Sequence, residues 1–112
     1  IKIVTGIRRC GKSYLLRTLF KNHLLENGVD EKHIIEMAFD LFDNIEYRDP
    51  KRFYPWAKEQ IQGDEKYYFL LYEVQLLDEF VSVLNGLADK KNCDVFVTGS
   101  NARLLSKDIA TE

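Results

Sequence analysis

The octapeptide Gly6-Ile7-Arg8-Arg9-Cys10-Gly11-Lys12-Ser13 fits the pattern Gly-x-x-x-x-Gly-Lys-Ser/Thr. No other segment restricts the fold as strongly, because this loop works only between a strand and a helix. Gly6 and Gly11 let the backbone curl without Cβ clashes and turn its N–H groups toward one point. Lys12 adds a mobile positive charge able to reach terminal phosphates, and the Ser13 hydroxyl suits a Mg²⁺ ion held between them. A helix starting near Lys12 would add its positive N-terminal end.

The flanks match that requirement. Ile1, Ile3 and Val4 form a β-branched run ending at Thr5, which reads as a buried strand. After the loop, Tyr14, Leu15, Leu16, Leu19, Phe20, Leu24 and Leu25 recur at helical spacing, and Asn27-Gly28 supplies a stop. By chance the pattern should occur in about a few chains per thousand of this length. With the strand and helix in place, a plain glycine turn is the weaker reading.

Further along, apolar runs alternate with amphipathic segments. His33 to Phe39 reads as a second strand, Asp40 to Asp49 as a loop, and Pro50 as the first turn of a helix reaching about Gln62. Phe53, Trp56, Ala57, Gln60 and Ile61 mark its inner face, with Trp56 as a packing anchor. Tyr67 to Val74 is a near-continuous apolar run, the pattern of a central parallel strand covered on both faces. Leu76, Leu77, Phe80, Val81, Leu84, Leu87 and Ala88 mark the next helix. Asp94 to Thr98 is the fourth strand, and Ala102 to Ile109 begins another helix. Such alternation predicts an α/β domain with a parallel sheet and right-handed crossovers. Ligands of such sheets bind beyond the carboxyl ends of the strands. There the octapeptide, Glu73 with Gln75, and Thr98 with Ser100 and Asn101 would meet.

Composition sets limits on function. The chain has 112 residues, 46% hydrophobic and 30% charged, as expected for one globular domain. It begins inside a strand and ends without a helix stop, so it reads as a fragment of a longer chain. The net charge of −2 gives no general drive toward nucleic acid or anionic lipid. The basic cluster Arg8, Arg9, Lys12, Arg17 and Lys21 reads as a phosphate site plus a solvated helix face. Nucleic-acid binding is left unsupported. No apolar run has membrane-spanning length and no signal peptide is visible. Cys10 and Cys93 are far apart and suggest neither a disulfide framework nor a metal site; a reducing, cytoplasmic compartment fits. His23 and His33 read as structural or surface residues.

The octapeptide, Glu73-Val74-Gln75, and Val97-Thr98-Gly99-Ser100-Asn101-Ala102-Arg103-Leu104-Leu105-Ser106 together resemble AAA-type P-loop ATPases of the additional-strand branch. Within that branch they are most similar to a bacterial and archaeal group in which this domain precedes a C-terminal domain of uncertain function. The resemblance covers nearly the whole chain. It implies a three-layer sandwich whose strand order is phosphate-loop strand, sensor strand, Glu73 strand, second strand, cut before a fifth strand. It also implies ATP and Mg²⁺ as ligands, with the nucleotide held by Gly6, Ile7, Arg8, Arg9, Cys10, Gly11, Lys12, Ser13 and Tyr14. Ser13 would touch the metal, with Glu73 a second candidate. Lys12, Glu73 and Ser100 would carry catalysis, Glu73 by polarising the attacking water. Thr98 or Ser100, with Asn101 as a further candidate, would sense the γ-phosphate. An arginine finger outside this chain belongs to the same expectation; AAA-type proteins often form rings, and the resemblance leaves this group's oligomeric state open.

One position departs from the pattern. The group's strand ends in Asp-Glu, and here Tyr72 stands in place of the Asp. A phenol is neutral near pH 7 and cannot replace a carboxylate in holding hydrated Mg²⁺. Impaired hydrolysis with retained binding, transfer of the metal to Glu73, and a variant or altered residue are all open at this stage. A non-hydrolysing nucleotide-dependent module is therefore the alternative to an ATPase. A kinase is a weaker one, since only Arg103 follows Asn101, and the base-reading motifs of a GTPase are missing.

Overall fold

Each of the apolar runs forms a strand: β1 (Lys2–Val4), β2 (Ile34–Ala38), β3 (Tyr67–Tyr72) and β4 (Cys93–Thr98). The computed structural model describes the backbone of residues 2–4 and 15–99 and the side chains of residues 18–99. The strands build one 4-stranded sheet of order β1-β4-β3-β2, and every pairing is parallel. This is the order the family resemblance implied. In register, Val4 stands beside Thr98, Leu71 beside Val97, and Ala38 beside Tyr72, so the strands end together along one edge.

Helical segments cover both faces, giving three layers. On one side lies the segment following the glycine loop in sequence. It winds as a π-type helix over Leu15–Phe20 and continues as α1 (Lys21–Glu26). Its stop is the one expected: Gly28 takes φ 89°, where only glycine is unstrained. The Val29 and Gly28 N–H groups then close back on the Leu24 and Leu25 carbonyls at 3.0 and 3.1 Å. On the other side lie α2 (Pro50–Gln60) and α3 (Phe80–Ala88). Asp49 caps α2 by accepting from the Lys51 N–H at 2.9 Å, and Pro50 occupies the first turn.

Side-chain alternation divides the core in two. Ile35, Met37, Phe69, Leu71, Val95 and Val97 face α2 and α3 and pack with Phe53, Ala57, Phe80, Leu84 and Leu87. Ile34, Ala38, Leu70 and Tyr72 face the other way and pack with Leu24, with Phe20 and Phe96 at the margin. Trp56 anchors its helix as expected, packing at a tilt against Phe53 and Tyr47. Among the described residues no helix is long and apolar enough to cross a membrane.

The structure corrects several boundaries. The segment 40–49 is not plain loop. Phe42–Arg48 forms a 3₁₀ turn, tied down where the Arg48 Nε donates to the Phe39 carbonyl at 2.8 Å. It leaves Leu41, Phe42 and Ile45 exposed. The Tyr67-to-Val74 run leaves the sheet after Tyr72 because Glu73 adopts a left-handed conformation, φ 54° and ψ 52°. The next helix starts at Phe80 rather than Leu76. Val74–Leu76 makes a separate 3₁₀ turn, and Glu79 is left-handed as well, with φ 53°. Helix α2 ends at Gln60, and the fourth strand begins one residue early, at Cys93.

Candidate functional site

The ends of β1, β4 and β3 lie side by side. The glycine loop follows β1 in sequence, Ser100 and Asn101 follow β4, and Glu73 follows β3. Of the expected site residues, Gly6 to Tyr14, Ser100, Asn101 and Arg103 lie outside the described residues. Glu73, Thr98, Tyr72 and Gln75 are described, and the structure brings Glu73, Gln75 and Thr98 together.

Glu73 is held from several sides. Its backbone N–H donates to the Thr98 Oγ1 at 3.1 Å, and its carbonyl accepts from the Leu76 N–H at 3.1 Å. Its carboxylate accepts from the Gln75 Nε2 at 3.0 Å. One residue earlier, the Tyr72 carbonyl accepts from the Phe39 N–H at 3.1 Å. One residue later, the fully buried Val74 plugs the turn into the core. A left-handed non-glycine residue costs about 1–2 kcal/mol. That cost is retained only where surrounding bonds over-determine the geometry, which is common where a side chain has a task. Here the geometry bends the chain off the sheet and leaves Glu73 partly buried at the strand ends.

Thr98 is fully buried. Its hydroxyl oxygen accepts the Glu73 N–H and so joins β4 to the end of β3. Thr98 is one of the candidates for sensing phosphate, and this bond ties it to the Glu73 backbone.

Tyr72 is turned away from this group. It is 2% exposed and packs among Leu24, Ile34, Ala38 and Leu70. Its hydroxyl donates to the Glu36 Oε2 at 2.6 Å. The other oxygen of that carboxylate, Oε1, accepts from the Lys21 Nζ at 2.8 Å. The bond to Glu36 and the nearby Glu36 and Glu31 charges hold the Lys21 ammonium pKa above its usual value, against the opposing effect of burial. Lys21 is thus no solvated helix-face residue, which corrects one member of the basic cluster.

Glu36 is the residue that sequence reasoning missed. Its signal was present: a carboxylate inside the strand run Ile34-Ile35-Glu36-Met37-Ala38 needs a partner once the strand is covered. What the sequence did not offer was the partner's identity, which depends on strand order and on how α1 crosses the sheet.

Among the described residues no group of three or more His, Cys, Asp or Glu side chains is placed to hold a metal ion. The Glu73 carboxylate supplies one hard oxygen donor. That fits a Mg²⁺ bound chiefly by phosphate oxygens and water, as Mg²⁺ prefers, and not by a protein cage. His33 lies 3.2 Å from the Glu65 carboxylate and edge-on to Tyr67, a structural setting. Burial raises the Cys93 thiol pKa, which makes it a packing residue. A groove of about 590 Å³ opens between α2 and α3, lined by Tyr54, Pro55, Val83 and Gly86 among others. No strand residue lines it, so it is separate from the strand-end site.

The chain belongs to the AAA domain family, whose model matches residues 1–112, and members of this family are nucleotide-binding, ATPase-like domains. It is 35% identical over 112 residues to an uncharacterized protein of Haemophilus influenzae, covering 99% of this chain and 28% of that protein. It is 27% identical over 115 residues to an uncharacterized protein of Methanocaldococcus jannaschii, covering 99% of this chain and 23% of that one. The chain therefore spans about a quarter of the length of these curated relatives. No solved structure matches it.

Proposed function

We propose that this AAA-family domain binds ATP with Mg²⁺ at the strand ends and couples the nucleotide's state to further parts of a longer protein. The observation that carries this reading is Glu73, fixed in a strained conformation beside Thr98 at the edge where the Gly6-to-Ser13 loop follows β1. In this reading the loop from Gly6 to Tyr14 cradles the phosphates, Lys12 neutralises their charge, and Ser13, with Glu73 as a second candidate, would hold the metal. Bound Mg²⁺ would offset charge on the β- and γ-phosphates. Glu73 orients the attacking water, and Thr98 or Ser100 senses the terminal phosphate, Thr98 being bonded to the Glu73 backbone N–H. The chain spans about a quarter of its relatives' length, which supports a coupled partner domain within one longer chain. Cytoplasmic location, assembly into oligomers and an arginine finger outside this chain are parts of the same proposal.

Tyr72 favours a second reading, in which nucleotide is bound and released with little hydrolysis. Its hydroxyl is committed to Glu36, so the carboxylate normally found here has no substitute at the same position. Two variants of the full-length protein separate the readings. Lys12→Ala should abolish ATP binding, measured by calorimetry, while circular dichroism stays unchanged; unaltered affinity would overturn the site. Glu73→Gln should retain ATP and lower phosphate release by about 10²-fold or more, the scale of losing a positioned catalytic group. If the wild-type protein binds ATP and releases no phosphate, the switch reading stands and the ATPase reading falls.

A further inference from the structure

We propose that Glu36 is a positioning residue of the nucleotide site, acting through Lys21 and Tyr72; this rests on the ATP-binding reading above. The Glu36 carboxylate joins three elements. One oxygen holds Lys21, the first residue of α1, and the other holds Tyr72, the last residue of β3 and the neighbour of Glu73. The Glu36 and Lys21 side chains are 28% and 23% exposed, so the pair is largely withdrawn from water.

An ion pair in such a place is poor evidence for stability alone. Apolar residues of similar volume often replace such pairs at no loss, while removing one partner is costly. What the charges add is a defined geometry. Lys21 marks the point where the π-type winding of Leu15–Phe20 gives way to the α-helix. Single π turns within helices concentrate at functional sites. The clamp therefore fixes the helix that follows the phosphate loop against the strand that leads into Glu73. Phe20, packed at a tilt against Phe96 with ring centroids 4.5 Å apart, supports the same seat from β4.

This assigns Tyr72 a task. It closes the clamp from β3, which an aspartate is too short to do at the same position. The phenol is then a working part of the site's frame and no vacant metal ligand.

The test is a double-variant cycle in the full-length protein, reading the Kd of a fluorescent ATP analogue with Mg²⁺ alongside the melting temperature. Glu36→Gln and Lys21→Met should each weaken binding by about fivefold. The double variant should be no weaker than the worse single one, because both act through one contact. A role in stability alone would lower the melting temperature and leave Kd within twofold of wild type, and that result overturns the proposal. Independent, multiplying effects on Kd overturn it as well. Should Glu36→Gln fail to fold, Lys21→Met, which keeps the Glu36–Tyr72 bond, carries the same decision. A wild-type protein that does not bind the analogue would instead refute the ATP-binding reading, and the positioning role with it.

Discussion

The two faces of the sheet are built on different principles. The face under α2 and α3 is dry and interlocked: Phe39, Phe53, Phe69, Leu71, Leu84 and Leu87 are all fully buried. The face under α1 carries, among the described residues, a partly buried hydrogen-bonded network with an ion pair, Lys21–Glu36–Tyr72. The first face gains from area removed from water, which is insensitive to exact geometry. The second gains from directed bonds that fail if an element shifts by an ångström. Stability and positioning are thus separated across one sheet, and the candidate site belongs to the second.

The sharpest way to break the comparison is to cut the dry face. Phe53→Ala should cost about 3–5 kcal/mol of unfolding free energy, read from urea denaturation. Nucleotide affinity of the still-folded protein should be unchanged; a large loss of affinity would erase the division of labour. Tyr72→Phe probes the other face. Loss of a hydrogen bond to a carboxylate should cost about 1.5–3 kcal/mol, and unlike Phe53→Ala it should also weaken nucleotide binding.

Smaller effects sharpen the picture. Glu73→Gly removes the left-handed penalty while adding freedom to the unfolded chain, so stability should stay level or rise by up to ~1 kcal/mol. Phosphate release, if the wild type has it, should vanish in the same variant. A clear fall in stability would show that Glu73 is unstrained. The smallest effect is on alkaline stability. The Lys21 pKa is raised in the folded protein, so its contribution is complete below the unfolded value of about 10.4 and is lost as pH rises through the higher folded one. Between pH 9 and 11 the urea midpoint of Glu36→Gln should therefore fall less than that of the wild type. Equal slopes would mean that the pair contributes nothing measurable, the common outcome for solvent-screened pairs.

Much of this arrangement was legible in the sequence. The apolar runs located every strand of the sheet, and the continuous Tyr67-to-Tyr72 run marked a strand with neighbours on both sides, which β3 is. Asn27-Gly28 and Pro50 marked their helix boundaries because their backbone preferences are local. Glu73 and Thr98 read as strand-end residues, and they lie just past β3 and at the end of β4. Boundaries failed where a residue took a conformation its type does not favour. Nothing in Glu73 or Glu79 announces a left-handed backbone, and both displaced the expected ends of their elements.

The sequence by itself determined the alternation of strands and helices and the apolar stripes, along with the phosphate-loop pattern, because each depends on residues close together in the chain. The tertiary structure alone decided which side chains meet across the sheet. Lys21, Glu36 and Tyr72 are distant in sequence, and each has an ordinary local reading: a surface lysine, a stray strand carboxylate, a misplaced tyrosine. Only the order β1-β4-β3-β2, with α1 laid over β2 and β3, brings them within hydrogen-bonding distance. The bonds then form because a partly buried carboxylate must find donors, and these are the ones the fold supplies.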